Sequence, residues 1–202
     1  MAIPLQHDVE YPESDGQPMA ESDIHRREMI DLITGLEDHL RDRSDVYVAG
    51  NLFLYYQKGD PRAVVAPDVF VVFGVPKGDR KAFKVWEEGA APRFVIEVTS
   101  DSTREDDLQR KRDLYERLGV EEYFLHDPLG DYLDPVLQGF RLSAGRYAPI
   151  QPGSQGDLTS RTTGLTLRPE GRRLRLLVTA TGEPLLWVDE AREMARRWKT
   201  LS

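Results

Sequence analysis

The chain has 202 residues, of which 40% are hydrophobic and 31% charged, and it contains no cysteine. This length and composition suit one globular domain with short additions at its ends. The lack of cysteine excludes disulfide bonds, a catalytic thiolate and cysteine-ligated zinc, and the four histidines do not form the HExxH motif of many zinc hydrolases. No apolar run approaches the roughly 18 residues that a membrane span needs, so we expect a cytoplasmic protein that does not contact a membrane.

The net charge of −8 argues against an extensively basic nucleic-acid binder. Its distribution weakens that objection, because residues 1–23 contain six acids and no lysine or arginine. The rest of the chain has 27 basic and 29 acidic residues. A body of nearly balanced charge can still carry a local basic groove, and carboxylates that bind a metal would add to the negative total.

The first part of the chain changes from a polar segment to a helical pattern. Residues 1–22 are predicted to form an extended or flexible acidic arm. Ser22 or Asp23 can cap a helix that ends near Arg41. Apolar residues recur through this segment at roughly helical spacing: Met29, Ile30, Leu32, Ile33, Leu36 and Leu40.

The chain becomes rich in β-forming residues from Asp45 onward. The predicted elements are strands over 46–48, 52–56 and 64–73, a polar connection over 74–89, a compact apolar strand over 94–98 and a helix ending at Leu118. Pro67-Asp68 interrupts the third strand. Thr103 and Asp106 are predicted to form a capping box at the start of the helix, and Gly119 to stop it.

The remaining elements are a strand over 122–126, a hairpin over 132–150 that turns at Ser143-Ala144-Gly145, a loop over 151–164, an alternating segment over 165–177 and a helix over 189–198. This order predicts an α+β (mixed α/β) domain. We divide the chain into the arm at 1–22, a domain over 23–180 and a C-terminal extension over 181–202.

Two of the predicted strands each hold one acid in an apolar setting, namely Asp68 and Glu97. An ionised carboxylate in such a strand is costly unless it is paired or binds a cation. Each acid alone could instead face solvent, because side chains alternate along a strand. If the two strands are neighbours, the carboxylates could share a divalent cation, and carboxylates with water suit Mg²⁺ or Mn²⁺.

The helix that follows Glu97 carries two charged residues on its apolar side. At about 100° per residue, Asp107 and Lys111 fall beside Leu108, Leu114 and Tyr115. One interpretation is an ion pair at i,i+4 spacing in which the lysine extends past the core. The other is that Lys111 reaches the end of the Glu97 strand and meets a phosphate or a nucleophilic water.

These motifs occur in the order of a known family. They are Pro67-Asp68, the segment 96–103 (IEVTSDST), Asp107-Leu108 with Lys111 and Tyr115, Gly119-Val120 with Tyr123, and Asp127-Pro128. Together they resemble the Uma-type restriction-endonuclease-like proteins of the PD-(D/E)XK nuclease superfamily, over about residues 24–167. The ordered set is specific, whereas a single Pro-Asp or Glu-x-Val would carry no information.

The resemblance implies a restriction-endonuclease-like core with a mixed, mostly antiparallel sheet flanked by helices. It implies that Asp68, Glu97 and the backbone carbonyl of Val98 bind Mg²⁺, with Mn²⁺ as an alternative. The superfamily pattern has lysine two residues after the glutamate, where this chain has Thr99. Lys111 is therefore expected to substitute as the third catalytic residue.

Three further residues are expected to support the site. Asp107 is expected to pair with Lys111. Tyr115 either positions Lys111 or serves as a core aromatic residue. His25, on the first helix, either takes part in the site or is structural.

The predicted function is a metal-dependent endonuclease that hydrolyses phosphodiester bonds in DNA. The first alternative is a catalytically silent nuclease-fold protein that binds nucleic acid or a protein partner. The second is an interaction domain in which the three central residues form core ion pairs.

A homodimer is expected by analogy with nucleases that cut both strands. An arginine cluster at 168, 172, 173 and 175 either contacts nucleic-acid backbone or belongs to a solvated hairpin.

Overall fold

The computed structural model describes residues 9–14, 22–100, 103 and 105–201. Most of the predicted arm therefore lies outside the described residues. Its segment 9–14 packs on the domain, because the Tyr55 hydroxyl donates to the Pro12 carbonyl at 2.5 Å and Glu13 pairs with Lys81 at 3.0 Å. The division into arm, domain and extension remains a prediction.

The described residues form four α-helices, one π-helical segment and three sheets. The helices are α1 (Asp23–His39), α2 (Val85–Glu88), α3 (Arg112–Leu118) and α4 (Val188–Leu201), and the π-helical segment Asp106–Lys111 leads directly into α3. The strands are β1 (Val46–Ala49), β2 (Leu54–Tyr55), β3 (Val64–Val65), β4 (Val69–Phe73), β5 (Phe83–Lys84), β6 (Phe94–Val98), β7 (Glu122–His126), β8 (Leu137–Ser143), β9 (Arg146–Pro149), β10 (Leu158–Thr159), β11 (Leu165–Glu170) and β12 (Arg173–Val178).

The central sheet has six strands in the order β1-β4-β6-β7-β8-β9. The β6–β7 pair is parallel and the other pairs are antiparallel. The parallel pair is joined by the π-helical segment and α3, as a parallel connection requires. Two small sheets, β10-β11-β12 and β3-β2-β5, lie outside it. The predicted α+β class with a mixed, mostly antiparallel sheet is confirmed.

Side-chain alternation divides the core between the two faces of the central sheet. Val69 and Ile96 point toward α1, β11 and β12 and belong to one hydrophobic cluster. Phe70 and Val95 point toward α3 and the small β2 sheet and belong to the other. Because β-strand side chains alternate, Glu97 lies on the same face as Val95, toward α3.

Helix α1 forms where the sequence predicted a cap and an apolar stripe. The Ser22 side chain accepts a hydrogen bond from the His25 backbone N–H at 3.1 Å, which satisfies one free donor of the first turn. Met29, Leu32 and Leu36 are buried against the sheet. The helix ends at His39, two residues earlier than predicted.

The predicted connections contain short elements that the sequence pattern did not reveal. The segment 74–89 includes β5 and α2, and the loop 151–164 includes β10. The capping box at Thr103 and Asp106 remains a prediction, because Glu105 is already helical and residue 104 lies outside the described residues. The hairpin of β8 and β9 turns at Ala144-Gly145, where both residues have positive φ, as a type I′ turn requires.

Two of the four clustered arginines, Arg173 and Arg175, make internal contacts, whereas Arg172 is exposed. Arg173 pairs with Asp31 of α1 at 2.6 Å and with Asp189 of α4 at 2.8 Å. Arg175 pairs with Glu190 at 2.7 Å, and both guanidinium groups lie over the Trp187 ring. These two arginines therefore fasten α4 to the domain.

In the described part of the chain, no helix combines the length and apolarity that a bilayer crossing needs.

Candidate active site

The strand register places the two predicted acids side by side. In the antiparallel β4–β6 pair, Val69 lies opposite Ile96, so one step along each strand sets Asp68 against Glu97 on the α3 face. The Asp68 backbone N–H donates to Glu97 Oε2 at 3.2 Å. In return, the Val98 backbone N–H donates to Asp68 Oδ2 at 2.8 Å. The structure thus brings Asp68, Glu97 and the Val98 peptide together.

Lys111 reaches this pair from the π-helical segment. Its Nζ lies 2.9 Å from Glu97 Oε2 and 2.9 Å from Asp107 Oδ1, and only 12% of its side chain is exposed. A π-helical turn is wider than an α-helical one and often occurs at functional sites. Here it holds both Asp107 and Lys111 toward the sheet. The contact to Glu97 agrees with the functional interpretation, and the contact to Asp107 agrees with the predicted i,i+4 pair.

Tyr115 is a core aromatic residue, as one interpretation held, and it also contacts the site. It is buried in the core, and its hydroxyl donates to Glu97 Oε1 at 2.6 Å. The tyrosine therefore orients the glutamate rather than the lysine. Tyr123 adds a second hydroxyl, which donates to the Asp107 backbone carbonyl at 2.9 Å. Sequence reasoning did not assign this residue a role, although it belongs to the recognised motif set.

His25 belongs to the same cluster. Its Nε2 lies 3.3 Å from Asp68 Oδ1. The first helix thereby touches the acid that precedes β4. Burial raises the pKa of Asp68, but the hydrogen bond and charge of His25, together with Lys111, leave it below its ordinary value.

The other ionisable groups of the cluster lie close enough to shift one another's pKa values. Burial raises the pKa of Glu97 against the opposing attraction of Lys111, and Asp68 and Asp107 raise it further. Burial also raises the pKa of Asp107. For Lys111 burial acts in the opposite sense, but its pKa lies above the ordinary value because Glu97, Asp107 and Asp68 surround it. Three carboxyl groups thus face one lysine, and a divalent cation would stabilise their ionised forms.

The donor set fits a magnesium ion in its chemistry. Mg²⁺ is usually held by one or two carboxylates, while waters and substrate phosphates fill its other positions. Asp68 and Glu97 supply two carboxylates, and Val98 supplies a peptide beside them. Within residues 9–14, 22–100, 103 and 105–201, no group of three or more acidic or histidine side chains surrounds a common point. A cation would therefore bind through few protein ligands.

Two other motif positions have different roles. Thr99, which occupies the usual lysine position, is buried at the end of β6. Asp127 lies at the end of β7, and its carboxylate accepts backbone N–H groups of Leu129, Gly130, Tyr132 and Leu133. Although burial opposes the effect, these bonds hold the pKa of Asp127 below its usual range. The Asp127-Pro128 motif is thus explained by a turn.

Comparisons with known proteins identify the family and the fold. The model of the Uma2 family, described as "Putative restriction endonuclease", matches residues 2–171. The chain belongs to the Uma2 family. Among solved structures, it is similar to a "putative nuclease belonging to DUF820" from Anabaena variabilis ATCC 29413, with a TM-score of 0.53 and 14% identity, covering 77% of this chain and 86% of that one. A search of curated proteins finds no match.

The family and the fold confirm the resemblance that the ordered motifs indicated. Family membership supports a nuclease that hydrolyses phosphodiester bonds. The solved structure supports the fold alone, since its identity to this chain is low. The family match ends at residue 171, so β12 and α4 lie beyond it.

Proposed function

We propose that this Uma2 protein is a divalent-metal-dependent DNA endonuclease whose active site consists of Asp68, Glu97 and Lys111. The observation that carries the proposal is the meeting of two carboxylates, one just before β4 and one in β6, with one buried lysine in a single cluster. Such a cluster is expensive to bury for stability alone, because desolvation of charges offsets most of their attraction. A catalytic reaction at this point would explain why the charged cluster lies where β4 begins and β6 ends.

Each residue has a distinct task in this proposal. Asp68 and Glu97, with the Val98 carbonyl, would hold Mg²⁺ or Mn²⁺, which when bound polarises a phosphate and activates water. The Lys111 ammonium orients that water or stabilises the negative charge that develops on the phosphate. Tyr115 fixes the Glu97 carboxylate through one oxygen, and His25 contacts the Asp68 carboxylate. Asp107 holds Lys111 in place.

Metal removal tests the proposal directly. Incubated with supercoiled plasmid, the purified protein is expected to produce nicked or linear DNA with Mg²⁺ or Mn²⁺ and none with excess EDTA. Titration calorimetry is expected to detect binding of the divalent ion by the folded protein. Cleavage that persists in EDTA, with the chelator shown to be in excess, would contradict the metal assignment.

Replacement of Lys111 by alanine tests the third position. We expect plasmid cleavage to fall by roughly 100- to 1,000-fold, because a group that stabilises developing charge is lost, while calorimetry still detects the metal. The double variant Lys111→Ala/Thr99→Lys places a lysine on the Glu97 face of the strand and is expected to recover part of the rate. Lys84→Ala, which removes a half-exposed surface lysine, serves as the control. Wild-type cleavage by Lys111→Ala would exclude its catalytic role.

A second candidate function is nucleic-acid or protein binding without cleavage. The observation that favours it is the Lys111 ammonium, which already partly neutralises Glu97 and Asp107. This alternative predicts binding without cleavage at any Mg²⁺ or Mn²⁺ concentration. The homodimer and the cytoplasmic location remain predictions from the sequence.

A further inference from the structure

The C-terminal helix α4 carries a face of positive charge, and family membership does not explain it. It lies beyond residue 171, where the family match ends. Arg192, Arg196 and Lys199 follow one another at i, i+4 and i+7, so at about 100° per residue they share one face. All three are exposed. We call these three residues the α4 stripe.

The acids of the same helix are already neutralised. Asp189 pairs with Arg173 at 2.8 Å, Glu190 with Arg175 at 2.7 Å, and Glu193 with Arg197 at 2.5 Å. None of the ion pairs found among the described residues involves the α4 stripe. The helix therefore presents an uncompensated positive face on a chain whose net charge is −8.

A cleft joins the stripe to the helix that carries His25. It has a volume of about 500 Å³ and lies between α1 and the start of α4, with Arg27 on one side and Arg192 on the other. Its acids are paired: Asp23 with Arg26 at 2.6 Å, and Asp31 and Asp189 both with Arg173. Four arginines (26, 27, 173 and 192) and three aspartates line the cleft, so four positive charges against three negative ones leave a net charge of +1. Arg27 and Arg192 are left as exposed cations facing this cleft. We call Arg27 and the α4 stripe together the basic track.

The dimensions of the track fit a phosphate backbone. Seven residues of helix rise about 10 Å, and one DNA strand carries a phosphate every roughly 3.4 Å along the axis, so the stripe spans about three phosphates. Arg27 lies on α1, the helix whose His25 contacts Asp68. Arg27 follows His25 by two residues, about 200° around the helix axis, so a backbone along the track runs on the side of α1 away from His25.

We propose that the basic track binds the phosphate backbone of duplex DNA and thereby retains the substrate on the protein, outside the candidate active site itself. The inference rests on the proposed nuclease function, because it assigns a further contact for the substrate of that function. Contacts of this kind position the DNA without reading its sequence. A second copy of the chain or an acidic protein is the competing occupant.

The test uses full-length protein and a fluorescent duplex in EDTA, so that binding is measured without cleavage. Arg192→Ala/Arg196→Ala/Lys199→Ala is compared with wild type by anisotropy from about 50 to about 200 mM salt. Loss of three phosphate contacts should lower the salt slope by nearly three, so wild type should lose roughly 40-fold more affinity across this range than the variant. Adding Arg27→Ala should lower the slope by about one more.

The matched control removes three exposed cations elsewhere, in Lys58→Ala/Arg117→Ala/Arg161→Ala, with the same change in net charge. Its salt slope is expected to stay close to that of wild type. Equal slopes for both triple variants would overturn the proposal, as would a change in sedimentation mass of the track variant, which would indicate a second copy as the occupant. Alanine favours helix, so the circular dichroism and melting temperature of the track variant should match wild type.

The outcomes separate this inference from the proposed function. Plasmid cleavage by wild type in Mg²⁺, with unchanged DNA binding by the track variant, overturns the inference alone. Weakened binding by the track variant, with no cleavage by wild type in Mg²⁺ or Mn²⁺, supports the track and contradicts the endonuclease. A wild-type protein that neither binds nor cleaves DNA contradicts both.

Discussion

Replacing Glu97 by glutamine is expected to lower the rate of DNA cleavage by about 1,000-fold or more while the protein remains folded. The glutamate is fully buried and contacts Lys111, Tyr115 and the Asp68 backbone. Glutamine keeps the shape and one acceptor oxygen but loses the charge that would hold the metal. A metal that supplies several kcal/mol of transition-state stabilisation corresponds to a factor of this size. Asp68→Asn is expected to act in the same direction.

Stability separates this prediction from a structural role. In the Glu97→Gln protein the amide oxygen can accept from Lys111 and the Asp68 N–H, while the amide nitrogen can donate to the Tyr115 hydroxyl. Lys111 also keeps its Asp107 partner, so we expect the free energy of unfolding to fall by no more than about 1 kcal/mol. If the three residues were a core ion-pair cluster, removing one partner would cost about 3–5 kcal/mol. A large loss of stability with retained cleavage would therefore support the interaction-domain alternative. Glu87→Gln, on the surface at α2, is the control for both measurements.

Replacing Glu122 by glutamine is expected to destabilise the protein by about 3–5 kcal/mol without a direct effect on the site. Glu122 begins β7 and is 1% exposed. Its two oxygens accept the Arg141 Nε–H at 2.9 Å, the Ser160 hydroxyl at 2.6 Å, the Thr162 hydroxyl at 2.7 Å, and the backbone N–H groups of Arg161 and Thr162. An amide cannot accept from all of these donors, and it leaves the Arg141 charge without its partner.

The stability that Glu122 contributes is expected to decrease as the pH falls. Burial raises the pKa of Glu122, but the hydrogen bonds from Ser160, Arg161 and Thr162 outweigh it, so the pKa in the folded protein is lowered. A lowered folded-state pKa contributes stability that is complete above the unfolded value of about 4.3 and is lost as the pH falls through the folded value. The difference between wild type and Glu122→Gln should therefore narrow below about pH 4.

Denaturant unfolding at pH 7 and at several lower pH values measures the stability loss of Glu122→Gln and its dependence on pH. Glu121→Gln provides a matched control on the neighbouring residue, whose carboxylate pairs with Arg93 at 2.5 Å while both side chains are more than 40% exposed. Exposed pairs contribute at most about 1 kcal/mol, so this variant should remain close to wild type. Equal stabilities of the two variants at pH 7 would refute the anchoring role of Glu122.

Local periodicity explains why much of the fold could be predicted from the sequence. The helix at α1, the strands at β4, β6 and β7 and the hairpin of β8 and β9 all carry patterns with periods of 3.6 or 2, which each segment displays by itself. The ordered motifs then gave the family, which the comparison confirmed. Short elements such as β5, α2 and β10 were missed, because two to four residues do not establish a period.

Long-range pairings escaped sequence reasoning for a different reason. Arg173 looked like a candidate for contact with nucleic acid, yet it is bound to Asp31, 142 residues away in the chain. The arginines of β12 have acidic partners, whereas the cations of the α4 stripe have none among the described residues. The two groups can be told apart only when these partners are known. Charge alone does not indicate which cations are compensated, since the answer depends on the packing of distant elements.

The sequence by itself indicated that Asp68 and Glu97 belong to apolar segments and that Lys111 lies on the inner side of the following helix. In the structure Asp68 directly precedes β4, and Glu97 lies within β6. Only the tertiary structure decided that the two strands are neighbours in the register that opposes the two acids. It also decided that a π-helical segment directs Lys111 onto Glu97 and that Tyr115 donates to the same carboxylate. The physical reason is that the direction of a side chain follows from local geometry, whereas its partner follows from how the sheet and helices pack.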